Sequence, residues 1–195
     1  MGKIELAKQA IRKIISNSSV EEDPIHAENT LTWLLKLDPA AGEALQIAAL
    51  AHDIDRACPE TKTRRQDYAD YDAFKAEHAK NGARIVRKIL EDHAVSPEIT
   101  DKACALIILH EVGGNPEADL LKNADSISYF DHNLPFYFDR EGYVETKRRC
   151  IWGYQRLSNK MQTLLATFRY ENQELTKIIQ EVIVESGQQN GGTCI

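Results

Sequence analysis

The chain has 195 residues, 43% hydrophobic and 28% charged, which predicts a soluble globular protein with a sizeable core, as one domain or a domain plus a helical extension. Twenty-four basic against 30 acidic residues give a formal charge of −6, with no basic block. That balance argues against binding a nucleic-acid duplex, which needs a concentrated positive stripe. The start, Met1-Gly2-Lys3-Ile4-Glu5, lacks the apolar run of a signal peptide, and no stretch reads as a membrane-spanning helix. Cys58, Cys104, Cys150 and Cys194 are scattered without paired spacing, which fits a reduced, cytoplasmic protein better than a disulfide framework or a zinc ribbon.

Ile4, Ala7, Ile11, Ile14 and Ile15 recur at helical spacing and predict an amphipathic helix over residues 3–16, ended by Asn17-Ser18-Ser19. Asp23-Pro24 reads as the next helix start, with aspartate as N-cap and proline in the first turn. This helix carries His26, then Leu31, Leu34 and Leu35, and closes at Leu37-Asp38 because the residue before Pro39 is pushed out of the helical region. Residues 41–54 form a third helix, an alanine-rich apolar run that delivers the pair His52-Asp53. The polar stretch Pro59 to Asp72 holds Lys62, Arg64 and Arg65. Phe74, His78, Ile85, Ile89 and Leu90 mark a long helix over residues 72–92.

Ser96-Pro97 repeats the cap-plus-proline start, and Ile99, Ala103, Leu106, Ile107 and His110 share one face of the helix that follows. Gly113-Gly114-Asn115-Pro116 is a break. A helix from Pro116 to His132 turns Leu120, Leu121, Ala124, Ile127 and Ser128 inward. The aromatic connector Leu134-Pro135-Phe136-Tyr137-Phe138 carries no clear pattern. Residues 143–186 read as two or three helices ending in Ile178, Ile179, Val182 and Ile183, and the Gly- and Gln-biased residues 187–195 as a disordered tail. No stretch alternates with period two for long enough to be a strand. The expected class is all-α, a single helical domain over residues 1–186.

Of six histidines, four fall on predicted core faces of separate helices: His26, His52, His78 and His110. Each alone reads as an ordinary core histidine. Together they pose a problem, because an unpaired buried polar group costs about 1–3 kcal/mol. One shared metal centre satisfies them all. His52-Asp53 sets an imidazole beside a carboxylate on an element stiffened by core packing, as a metal site on a rigid scaffold requires. Asp125, one turn after Leu121 and beside the apolar face, is a carboxylate that must be paired or coordinating.

In this order, His26, His52-Asp53, His78, His110 and Asp125, the set resembles the HD-domain superfamily of metal-dependent phosphohydrolases. The local contexts are similar as well. Ala48-Ala49-Leu50-Ala51-His52-Asp53-Ile54 looks like that family's apolar run into its His-Asp doublet. Glu77-His78-Ala79-Lys80-Asn81-Gly82-Ala83 looks like its histidine-bearing helix start, and Leu121-Lys122-Asn123-Ala124-Asp125 like its final segment. The resemblance covers residues 24–132 and implies an HD-like helical bundle, with residues 143–186 as additional C-terminal helices that form a lid or a homodimer face.

Members with all six ligands bind two divalent transition-metal ions. Carried over to this chain, His26, His52, Asp53 and Asp125 would hold one ion and His78 and His110 the second, with Asp53 as the catalytic bridge that orients the nucleophilic water. Two cations about 3.5–4 Å apart lower the pKa of a shared water and clamp a phosphate for in-line attack. Mixed imidazole and carboxylate donors suit Fe, Mn, Co, Ni or Zn better than magnesium. The implied activity is hydrolysis of a phosphate ester or anhydride of a nucleotide or similar small molecule, a diphosphate-linked dinucleotide among them.

A phosphate substrate needs cations near the metals. Arg56, Lys62, Arg64 and Arg65 are the first candidates, and Lys80 and Lys122 lesser ones. Asp55 departs from the small residue often found there in the family. Glu111 reads as a surface residue, or as a group that orients a water or pairs with Arg56; His93 and His132 read as surface residues, and Trp33 and Trp152 as core aromatics or base-stacking groups. Two other functions share these features. HD-fold mixed-valent diiron oxygenases use the same six ligands, and a non-enzymatic nucleotide-binding module would keep the fold without the turnover.

Overall fold

The computed structural model describes residues 2–190. Its helices follow in the order α1 (Lys3–Ile15), α2 (Asp23–Leu37), α3 (Glu43–Ala51), α4 (Tyr71–Asp92), α5 (Pro97–Leu109), α6 (Pro116–Ser128), α7 (Leu134–Arg156), α8 (Asn159–Leu165) and α9 (Gln173–Asn190). No strand occurs among the described residues, so the protein is all-α, as its periodicity predicts. The chain divides into two compact units, Met1–Asp125 and Ser126–Ile195.

The first unit is built around α3. A helix that is apolar on all sides must be surrounded, and Leu45, Ile47, Ala48, Ala49, Leu50 and Ala51 are each at most 1% exposed. Helices α1, α2 and α5 pack on α3, and α4 packs on α5 and α1. The alanines let these neighbours approach closely, while each buried Leu or Ile contributes roughly 1.5–3 kcal/mol. The result is a stiff post whose C-terminal end carries His52.

Local signals account for most boundaries. Ser96 Oγ accepts from Ile99 N–H and caps α5, and Asp70 caps α4 by accepting from Asp72 N–H and Ala73 N–H. Gly113 and Gly114 take φ of 76° and 116°, the left-handed region that glycine alone enters freely, and so separate α5 from α6. Asp23 corrects its expected role. It lies inside α2 and caps nothing, because its buried carboxylate accepts from Ser18 Oγ at 2.6 Å and from Arg56 Nη1 at 3.3 Å instead.

The second unit begins in the last residues of α6, which passes through a π-helical turn, Tyr129–Asn133, directly into α7. The aromatic connector is therefore helical. Pro135 sits in the first turn of α7, directly after the π-helical turn. A kink at Gly142, φ 75°, interrupts α7. Helix α9 packs on α7 through a core that includes Cys150, Ile178, Ile179 and Val182. Phe130 is fully buried, with its ring so near Gly153 that a Cβ there would stand 3.2 Å from it. Helix α9 continues past Gly187 to Asn190, and residues 191–195 of the expected tail lie outside the described residues. Cys58, Cys104 and Cys150 are free thiols, and Cys194 also lies outside the described residues. Among the described residues no helix is long and apolar enough to cross a membrane.

Candidate metal centre

All six predicted ligands lie in the first unit, on five helical elements. His26 sits in α2, His78 in α4 and Asp125 at the end of the first unit in α6. His52 and His110 are the C-cap residues of α3 and α5, and Asp53 follows as the lead-in to a 3-10 turn, Ile54–Ala57. The four imidazoles are buried to within 4% exposure or less. Their rings form a continuous cluster, with centroids 5.1 Å apart for His26–His52, 5.3 Å for His52–His110 and 6.0 Å for His78–His110.

Two groups that could hold a metal ion emerge from this cluster: His26, His52 and Asp125, and Asp53, His78 and His110. In the first, His26 Nε2 lies 3.2 Å from both His52 Nε2 and Asp125 Oδ1, and His52 Nε2 lies 3.5 Å from Asp125 Oδ1. Ligand atoms about 2.1 Å from one ion, at angles between square and tetrahedral, stand about 3.0–3.4 Å from each other. The spacing fits. In the second group, Asp53 Oδ1 lies 2.8 Å from His78 Nε2. The other oxygen of Asp53, Oδ2, is 3.5 Å from His52 Nε2, so one carboxylate reaches both groups.

The remaining ring nitrogens are already committed. His52 Nδ1–H donates to the Ala49 carbonyl at 3.0 Å and His110 Nδ1–H to the Ile107 carbonyl at 2.7 Å, which leaves each Nε2 as the atom presented to the site. His110 Nε2 is buried with no hydrogen-bond partner among the described residues. His78 Nδ1 pairs with Asp55 Oδ2 at 2.8 Å. With Nδ1–H spent on a carbonyl, the buried His110 Nε2 presents a lone pair toward the Glu111 carboxylate oxygen 3.2 Å away and another imidazole, an arrangement that a coordinating cation would satisfy.

The electrostatics show the same demand for positive charge. Burial opposes a proton on His52, yet Asp53 and Asp125 outweigh it and push its pKa up to about 9. His78 is also raised, because Asp53 and Asp55 overcome its burial. Burial works against the Asp53 carboxylate, but Arg56, His52 and His78 hold it well below the ordinary range. His110 is lowered, since burial there prevails over Glu111. Without a metal, the site satisfies its carboxylates by protonating imidazoles.

A cleft of about 640 Å³ adjoins the second group, with His78 in its wall. Arg56, Lys62, Arg64 and Arg65, the first substrate-binding candidates by sequence, line it, and so does Lys75. Arg56 is held at 3.0 Å from Asp53 Oδ2 and 3.3 Å from Asp23 Oδ1. Lys80 is not in this cleft; it is exposed and lies 3.5 Å from Glu77. Two positions beyond His78, it projects roughly 200° around the helix from that histidine. Lys122 is likewise elsewhere, donating to the Val112 carbonyl.

Several site residues escaped the sequence reading. Lys75 pairs with Glu111, which is buried beside His110 and not on the surface. Tyr71 and Phe74 line the cleft, with ring centroids 5.9 Å apart, in place of Trp33, which packs partly buried against the core, and Trp152, which stands between Arg149 and Arg156 in the second unit. The spacing Tyr71, Phe74, Lys75, His78 was the available signal, since residues three, four and seven apart share a helix face. Asp55 is buried at 1% exposure as the partner of His78. His93 and His132 are half-buried and belong to neither ligand group.

No curated protein and no solved structure matches the chain. One family model does, over residues 7–179, a span that includes all six ligand candidates and the cleft. The chain therefore belongs to the DUF4202 family, described as a domain of unknown function.

Proposed function

We propose that this protein is a metal-dependent phosphohydrolase of HD type, acting on a phosphate ester or anhydride of a nucleotide or similar small molecule. The observation that carries the reading is Asp53, whose two oxygens reach both ligand groups beside a cleft lined by cationic side chains. In this reading His26, His52 and Asp125 would hold one divalent transition ion and His78 and His110 a second, with Asp53 placed to serve both. Iron, manganese, cobalt, nickel and zinc suit these donors. When bound, such a pair supplies Lewis acidity toward a phosphoryl group and acidifies water for in-line attack.

The chain's own groups do the rest. Arg56, fixed by Asp53 and Asp23, and Lys62, Arg64, Arg65 and Lys75 neutralise the phosphates, while Tyr71 and Phe74 offer faces for a base. This cationic lining fits an anionic substrate such as a phosphate, and phosphate release against O₂ uptake separates hydrolysis from oxygenation. The test is metal analysis of protein purified without added metal, with anaerobic phosphate release from a nucleotide panel. The proposal expects about two transition ions per chain and released phosphate. Two irons with O₂ uptake and no phosphate would replace it with the oxygenase, and nucleotide binding without turnover with the binding module.

A further inference from the structure

Asp55 sits one residue beyond the bridging Asp53's neighbour Ile54 and is 1% exposed. The groups that contact its carboxylate are hydrogen-bond donors. Thr63 N–H reaches its two oxygens at 3.2 and 3.1 Å, His78 Nδ1–H donates to Oδ2 at 2.8 Å, and Asn81 Nδ2 donates to Oδ1. The same Asn81 amide also donates to the Thr61 carbonyl at 2.9 Å. Residues on both sides of Lys62 are thus pinned to one carboxylate and its amide neighbour, and Lys62 and Arg64 in that segment line the cleft. His78 and Asn81 are one turn apart on α4 and face the loop together.

The geometry points to Asp55 as a positioning residue that ties the cationic loop to the second ligand group, so that ordering the loop and holding the second ion are one event. The inference rests on the two-metal reading above. Its chemical basis is the matching of three donors to one acceptor-only group. An amide in place of the carboxylate would set N–H against N–H at one of the three. It would also free His78 to rotate or to move its proton from Nδ1, and partners that orient a ligating imidazole in this way are worth about 10–100-fold in metal affinity. The Asp55–Thr63 bond passes the same constraint to the loop.

The loop reports on itself, because Lys62, Arg64 and Arg65 are trypsin sites. Full-length metal-free protein is titrated with Mn²⁺ while ion uptake and trypsin cleavage at these residues are followed. In the wild type, uptake of the second ion should slow cleavage of the loop about tenfold or more, a protection comparable to the affinity that an orienting partner contributes. Asp55→Asn should weaken the second ion about 10–100-fold, leave the first ion unchanged and make cleavage indifferent to metal. Asn81→Ala spares every ligand and the Asp55–His78 bond but cuts the tie to Thr61; it should speed cleavage and weaken the second ion several-fold, and it decides the matter alone should Asp55→Asn fail to fold. Two ions in the wild type with unchanged second-ion affinity in the variants would overturn the coupling and leave the two-metal reading standing. A wild type that takes up no second ion would overturn both.

Discussion

The Nε2 atoms of His26 and His52 face each other at 3.2 Å inside the first unit. His52 Nδ1–H is spent on the Ala49 carbonyl, so the two nitrogens confront each other beside two carboxylates, Asp125 at 3.2 and 3.5 Å from them and Asp53 at 3.5 Å from His52 Nε2. A proton or a metal cation between them resolves the contact. Asp53→Ala should abolish the uptake of both ions, whereas His78→Ala should chiefly weaken one. Metal content per chain after dialysis, measured for both variants and the wild type, checks this; equal content in all three would sink the ligand assignment.

The protonation of His52 sets a pH window. Its pKa rises from 6.5 unfolded to about 9 folded. A raised pKa gives stability that is fully present below the unfolded value and is lost as pH climbs through the folded one. Metal-free protein should therefore melt at progressively lower temperature between pH 6.5 and about 9. A cation competes for the same nitrogen, so metal affinity should rise across that window with release of protons. Melting curves and calorimetry in buffers of different ionisation enthalpy test the two signs together.

The cationic lining should act on substrate capture. Lys62 and Arg64 border the cleft but belong to neither ligand group. Exposed charges contribute about 0.2–1 kcal/mol each, so Lys62→Ala with Arg64→Ala should raise KM for an anionic substrate about tenfold. Metal content and kcat should stay near wild type. The KM of the wild type should climb with ionic strength more steeply than that of the variant, since screening removes what the mutations remove.

The rigidity of α3 is a separate test. Ile47 is fully buried among the helices that position His52. Ile47→Ala should cost about 2–5 kcal/mol of stability through lost burial and the cavity left behind. Denaturant unfolding measures that loss, and metal titration of the folded fraction should show weaker uptake of the first ion.

Legibility in the sequence followed the range of the interaction concerned. The spans of α1 to α6 were readable because a helix repeats its apolar face every turn, a property of neighbouring residues. Asp23 and the segment 134–138 were misread or left open for the opposite reason. Asp23 has a cap's composition but is claimed by Ser18 and by Arg56, which is remote in sequence, and Pro135 is compatible with either a connector or a helix start. Lys80, a lesser substrate-binding candidate by sequence, is turned away from His78 by helical geometry alone.

By itself, the sequence determined the all-α class and the approximate spans of α1 to α6, and it offered the six candidate ligands through their order and its resemblance to a known pattern, because periodicity and the order of ligand types are written locally. The tertiary structure alone decided how they converge: that they form two groups, that Asp53 reaches both, that Lys75 and Glu111 pair beside His110, and that Asp55 binds the loop to His78. Those relationships join residues from different helices and loops across the packed core of the first unit. They depend on which side-chain atoms meet when α3, α4 and α5 pack, and local spacing carries no record of that.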